Sequence, residues 1–267
     1  METKITSVRN EKVRFISLLQ QKAAERKKSG LFAAEGLRFV MDTPTQFMQE
    51  LFIREDLDLQ IRSDLENRFP GVPVSLVTGP VMEKMADTRS PQGVMALVKM
   101  PSHSEEEIIS GSGKPLIMIL EDIQDPGNLG TIFRTAEAAG VTGILLSGGC
   151  VDVFNPKVIR STMSAVFRMP FALCSDLPEA VSRLKDKGII VCAAWLRGSV
   201  PYDSLSYLSG TAFMIGNEAR GLTEELAASA DEKIRIPMEG EIESLNAAIS
   251  AGILMYEAYR QRRSAGV

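Results

Sequence analysis

The chain has 267 residues, 45% hydrophobic and 24% charged. That is the balance of a globular protein with one large domain or two small ones, and it excludes disordered, collagen-like and disulfide-stapled classes. Net charge is −4, yet eight Lys/Arg face three glutamates over residues 1–28, while residues 106–267 are acidic on balance. A basic arm on an acidic body is either a nucleic-acid footprint or a solvated amphipathic helix with Val13, Ile16 and Leu19 turned inward. No apolar run approaches the ~20 residues of a membrane helix. The charged start METKITSVRNEKVR lacks a signal-peptide core, so the chain is expected to be soluble and cytoplasmic, with no membrane partner.

Scarce residues exclude further chemistry. One histidine, His103, argues against Ser-His-Asp triads and multi-histidine metal sites, and no metal is expected. Cys150, Cys174 and Cys192 form no C-x-x-C, and the last two sit in apolar runs as core thiols.

From residue 31 to 100 the segments LFAAEG, ELFIRE, VPVSLVT and GVMALVKM read as strands, with helical spacing in RFVMDT, LDLQIRSDLENRF and PVMEKMAD between them. PSHSEEEIISGSGK, polar and Gly/Ser-bearing, reads as a linker over 101–114. The expected domains are therefore 1–100 and 115–267. The second opens with PLIMILED, a continuous apolar strand of the parallel-sheet kind. A loop at 123–127 and a helix from Asn128 to Ala139 follow, then strand GILLSG and a helix from Pro156 to Phe167. After these come FALCS, helix LPEAVSRLKDKG, strands IIVCAAW and TAFMIGN, helix TEELAASA, strand KIRIPM, and a helix from Ser244 to about Arg262. Such β-α alternation predicts an α/β domain with a mainly parallel sheet. Ligands bind such sheets at the strands' carboxyl ends, here the loops 123–130, 196–200, 216–222 and 238–246.

Three of these loops are rich in side-chain amides and hydroxyls. In ILEDIQDPGNLGTIFRTAEAAG, Asn128 is placed to cap a helix. Arg134, among Ile132, Phe133 and Ala136, is either paired with a carboxylate or aimed at a phosphate. In FMIGNEARGLTEEL, Gly216 and Gly221 permit positive φ or close approach, with Asn217 and Glu218 between them. In IRIPMEGEIESLNAAISAG, Ser244 is the expected N-cap of the last helix. Neither G-x-G-x-x-G after a strand nor G-x-x-x-x-G-K-[ST] occurs, which argues against dinucleotide and P-loop sites.

In this order the three loops resemble the three motifs of the SpoU class of the SPOUT superfamily, the knotted RNA 2′-O-ribose methyltransferases. Asn128-Leu129-Gly130 through Arg134-Thr135 match the first motif, and Ile215-Gly216-Asn217-Glu218 with Gly221-Leu222 the second. Ile236-Pro237-Met238 with Ser244-Leu245-Asn246 match the third. NPKVIRSTMSAVFRMP is also family-like, with Ser164 where a glycine is common. ITSVRNEKVR, LFAAEG and SPQGVMALV are similar to the smaller α/β RNA-binding domain of members acting on ribosomal RNA.

The resemblance implies a deep trefoil knot, a homodimer and S-adenosylmethionine held by Gly216, Asn217, Gly221, Ile236, Met238 and Leu245. It implies a reaction site of Arg134, Asn128, Glu218, Ser244 and Asn246, with Arg134 orienting a phosphate and stabilising charge on the ribose 2′-oxygen. The last helix, with Ala247, Ala248, Ala251 and Gly252 near its start, is expected in the dimer contact. The substrate implied is 23S rRNA; a tRNA 2′-O-methyltransferase and a non-catalytic RNA-binding ribosome assembly factor are the alternatives.

Overall fold

A computed structural model of the chain describes residues 3–110 and 113–266. Met1 and Glu2 of the basic arm, Gly111 and Ser112 of the expected linker, and Val267 lie outside the described residues. The elements begin with β1 (Thr3–Ile5), α1 (Glu11–Gln21), α2 (Ala23–Ser29), β2 (Leu31–Glu35), α3 (Leu37–Asp42) and β3 (Met48–Arg54). Then come α4 (Leu59–Arg68), β4 (Val74–Val77), α5 (Gly79–Met85), β5 (Val94–Lys99), α6 (Glu105–Ile109), β6 (Leu116–Leu120), α7 (Pro126–Ala138), β7 (Gly143–Ser147) and α8 (Pro156–Thr162). The chain closes with β8 (Phe171–Cys174), α9 (Leu177–Asp186), β9 (Ile190–Ala194), β10 (Val200–Pro201), β11 (Thr211–Ile215), α10 (Glu224–Ser229), β12 (Glu232–Arg235) and α11 (Ala247–Ala265).

Contacts divide the chain into two compact units, one of residues 1–101 with 152–167, the other of 102–151 with 168–267. The first holds a mixed sheet in the order β1-β4-β3-β5-β2, with β5 antiparallel to β2 and β3. Val13, Ile16 and Leu19 of α1 join its core, as their helical spacing predicts. The edge strand β1, paired parallel to β4, was not expected, because three residues are too few to show a period.

The segment 152–167 supplies this unit with two rings. Phe154 lies 5.1 Å from Phe32, and Phe167 lies 5.5 Å from Phe39 and 5.6 Å from Phe47. The expected helix from Pro156 to Phe167 stops at Thr162, because Met163 and Ser164 take left-handed φ of 49° and 68°. A glycine suits that backbone better than serine does. Here the buried Ser164 hydroxyl donates to Asp42 at 3.2 Å.

Arg26 does not belong to the solvent-facing basic arm. It was counted with the basic arm, yet it is 3% exposed and donates to Asp152 at 2.6 and 2.8 Å. It holds the chain together and is not free for a phosphate. Removing one partner of a buried pair strands the other charge. Arg26→Ala should therefore cost about 3 kcal/mol or more, read as a lowered urea midpoint with an unchanged slope; a midpoint at the wild-type value would refute it.

The second unit is a seven-stranded sheet in the order β10-β12-β9-β11-β6-β7-β8, every neighbouring pair parallel. β6 and β11 are buried at every position, which their unbroken apolar sequence requires of central strands covered on both faces. α11 packs on α7 and β11, and α9 on β9 and α10. Within the stretch read as a linker, Ser104 and Glu107 form a capping box that starts α6, and Ile108 and Ile109 are buried in the second core. Cys174 and Cys192 are both buried, as expected, Cys174 within that core. Among the described residues no helix is long and apolar enough to cross a membrane.

Candidate active site

β12, β9, β11 and β6 are parallel neighbours, so the loops leaving Arg235, Ala194, Ile215 and Leu120 emerge at one edge of the sheet. There the loops after β9, β11 and β12 line a cavity of about 390 Å³, to which the loop after β6 contributes no residue. Of the residues expected to hold a cofactor, Gly221, Ile236, Met238 and Leu245 line it, with Ser244 beside them. Trp195, Leu196 and Arg197 after β9, and Arg235, were not singled out although they line it too. The signal for Leu196 and Arg197 was the 196–200 loop at a strand's carboxyl end, which located the place and not the side chains, while Trp195 was read as the end of strand IIVCAAW.

Gly216 and Asn217 stand behind the wall. A Cβ on Gly216 would lie 2.1 Å from the carbonyl carbon of Gly221 and from Leu222 N. Asn217 is buried and exchanges backbone hydrogen bonds with Gly221 at 3.1 and 2.8 Å. Its side-chain oxygen accepts from Ala219 N and Arg220 N, and its amide donates to Asp122 O at 2.8 Å. This closed turn fixes the loop after β11 to the loop after β6.

The first motif is arranged differently from expectation. Asp125, not Asn128, caps α7, accepting from Asn128 N at 2.8 Å, with Pro126 opening the helix. The Asn128 side chain is thereby free to bridge the other motifs. It donates to Glu218 Oε1 at 3.0 Å and accepts from Asn246 Nδ2 at 2.9 Å. The α11 cap moves likewise: Asn246, not Ser244, accepts from Ala248 N and Ile249 N. One hydrogen-bonded line, Glu218–Asn128–Asn246, joins all three motifs.

Glu218 also accepts from Gln124 N at 3.2 Å and Asp125 N at 3.0 Å. Partial burial pushes its carboxyl up, but the Asn128 amide and these backbone donors outweigh that and hold it below the usual carboxylate range. A carboxylate so engaged holds donors in place. It is not a base waiting for a proton.

Arg134 is exposed on α7 and does not line the cavity. Among the described residues no carboxylate or hydrogen-bond acceptor engages it, so of the two sequence readings the ion pair falls. Among them, too, no cluster of three His, Cys, Asp or Glu could hold a metal.

Comparison with known proteins decides the family. Residues 115–256 match the model of the SpoU rRNA methylase family, and residues 10–96 that of the MRM3-like substrate-binding domain. The chain belongs to the SpoU family. Among relatives of this SpoU chain is the 23S rRNA (guanosine(2553)-2′-O)-methyltransferase of Bacillus subtilis, 32% identical over 94% of this chain and 97% of that one. An AdoMet-bound rRNA methyltransferase from Sinorhizobium meliloti superposes with a TM-score of 0.83 at 34% identity, covering 97% of this chain and 98% of that one. The AdoMet complex of the SpoU methyltransferase AviRb from Streptomyces viridochromogenes gives 0.86 at 25% identity, covering 96% and 99%. The structural likeness thus covers both units, while the SpoU family model itself matches only residues 115–256.

Proposed function

We propose that the chain transfers a methyl group to a ribose 2′-hydroxyl of 23S rRNA. The observation that carries this is the convergence of the three motif loops, tied by the Glu218–Asn128–Asn246 line, beside a cavity at the carboxyl edge of the sheet. The cavity fits S-adenosylmethionine: about 390 Å³ lies within the ~300–1,000 Å³ of small-molecule sites. Trp195, Ile236, Met238 and Leu245 give it apolar walls, and Gly221 with Leu222 brings backbone to its edge. Bound there, S-adenosylmethionine supplies an electrophilic methyl carbon on a sulfonium.

The chain's own residues then have three tasks. The Gly216–Leu222 turn and Ile236 to Leu245 hold the cofactor and keep water from it. Asn128, Glu218, Asn246 and Ser244 shape the floor on which the nucleotide is placed. Arg134 meets an RNA phosphate and donates to the ribose 2′-oxygen, which would lose its proton to solvent water and take the methyl as the sulfonium C–S bond breaks, leaving S-adenosylhomocysteine. The trefoil knot that the family likeness implies belongs to this reading. So does action in the cytoplasm, where ribosomal RNA is the substrate. Labelled S-adenosylmethionine incubated with 23S rRNA and with tRNA tests it: label recovered as a 2′-O-methyl nucleotide in 23S rRNA is expected. Label only in tRNA, or in neither, would overturn it.

A homodimer through α11 completes the proposal, on a face other than the one expected. Ala247, Ala248 and Ala251 are buried within the chain, whereas Ile249, Tyr256 and Tyr259 are 55%, 47% and 38% exposed. Their spacing puts Ile249 and Tyr256 on one stripe of the helix. A two-fold contact doubles any charge placed in it, so Tyr256→Glu should convert the dimer to a folded monomer in light scattering. A monomeric wild type, or a variant still fully dimeric, would refute this contact.

A further inference from the structure

A second cavity, of about 270 Å³, lies wholly within the first unit, between α3, the 88–92 loop and the end of α8. It shares no residue with the cavity at the motif loops. Phe39 and Met163 give it apolar surface, and the left-handed Met163–Ser164 pair forms part of its wall. Backbone held in that region by surrounding contacts is a recurrent mark of ligand sites.

The hydrogen-bonding capacity left open there is specific. Glu35 is spent, since its carboxylate accepts from Asp87 N, Thr88 N and the Thr88 hydroxyl. Arg160 is paired with Asp87 at 2.8 Å. Asp42 gives Oδ2 to Ser164 and keeps Oδ1 free. Gln92 accepts from Leu37 N through Oε1 at 3.0 Å, which turns its amide NH₂ to other acceptors. Arg38 is exposed and has no partner among the described residues. Beside the Ser90 hydroxyl and the Arg160 guanidinium, the cavity offers the Asp42 carboxylate as acceptor and Arg38 and Gln92 as donors around an apolar wall.

A bare phosphate is disfavoured by the two carboxylates, Glu35 and Asp42, in the same lining. A flat group with adjacent donors on one edge and acceptors on another is matched. Guanine has N1–H and N2–H₂ side by side for a carboxylate, and O6 with N7 for a guanidinium or amide. Adenine, cytosine and uracil lack that adjacent donor pair. Proteins read single-stranded RNA by taking unstacked bases against side chains and bonding their edges.

Resting on the reading of the chain as an RNA enzyme, we propose that this cavity binds one unstacked guanine of the RNA substrate, with Asp42 on its Watson–Crick edge and Arg38 and Gln92 on its acceptors. It is a recognition site separate from the site of methyl transfer.

The test uses the full chain and fluorescence anisotropy with a labelled oligouridylate carrying one central guanosine, inosine or adenosine. Guanosine should bind about tenfold tighter than adenosine, with inosine, which lacks the 2-amino group, between them. Asp42→Asn should erase the preference for guanosine over inosine. Arg38→Ala, at an exposed side chain whose loss leaves the fold intact, should shrink the preference for guanosine over adenosine. S-adenosylmethionine affinity should be unchanged in both. Equal affinity of the wild type for all three probes, or Arg38→Ala with full discrimination, would overturn the proposal. A chain that methylates RNA without guanine preference sinks this cavity alone. One that prefers guanine yet neither binds S-adenosylmethionine nor methylates RNA sinks the catalytic reading alone.

Discussion

Arg134→Ala should lower the single-turnover rate of methyl transfer by about 10²–10³-fold while S-adenosylmethionine binds as before. The two halves follow from different observations. Arg134 lines no part of the cavity, so its loss removes no cofactor contact. It is exposed and unengaged among the described residues, which leaves its guanidinium available to the RNA. An alcohol oxygen is a weak nucleophile until its proton leaves, so a cation beside it that stabilises the developing charge speeds the reaction. Glu218, the carboxylate closest in sequence to the second motif's turn, is held ionised by Asn128, Asp125 N and Gln124 N. Charge stabilisation by Arg134, once the RNA engages it, is the effect this variant removes. Arg134→Lys keeps the charge and loses the planar fork, so it should recover only part of the rate. Calorimetry separates binding from chemistry. A variant transferring methyl at the wild-type single-turnover rate would sink the assignment.

The sequence shows its central strands plainly and its helix starts poorly, for physical reasons. LIMIL at 116–120 has no polar position, and only a strand covered on both faces tolerates that. The start of α7 was ambiguous because Asp125 and Asn128 are both good caps. Pro126, which suits the first helical position, was the local clue that favours Asp125. Ser244 and Asn246 present the same ambiguity at α11, and there no proline decides. What no window could show is the membership of 152–167 in the first unit. It rests on Arg26 meeting Asp152 across 126 positions and on rings meeting Phe32 and Phe39. The site was legible as three loops, because polar, glycine-bearing segments after apolar strands mark strand ends. Which amide bridges to which carboxylate was not, since that depends on the caps.

Gly216→Ala should abolish measurable S-adenosylmethionine binding, and the reason is room, not backbone torsion. The added methyl would sit 2.1 Å from Gly221 C and Leu222 N and 2.4 Å from Gly221 O. These are backbone atoms and cannot swing aside as a side-chain tip would. The loop must open, and the paired hydrogen bonds between Asn217 and Gly221 are lost with it. Leu222, 4% exposed and part of both the second core and the cavity wall, moves too. Overpacking of this kind costs about 1–3 kcal/mol of stability, so a folded but weakened protein is expected. Gly221→Ala is the control. Gly221 has φ +70° with no protein atom within 4 Å of a built Cβ, so its substitution displaces no backbone and costs the fold only torsional strain, about 1–2 kcal/mol. Calorimetric titration should therefore find Gly221→Ala weakened and Gly216→Ala silent, at temperatures where circular dichroism shows both folded. If Gly216→Ala binds S-adenosylmethionine as tightly as Gly221→Ala, the turn after β11 does not form the wall of the cofactor site.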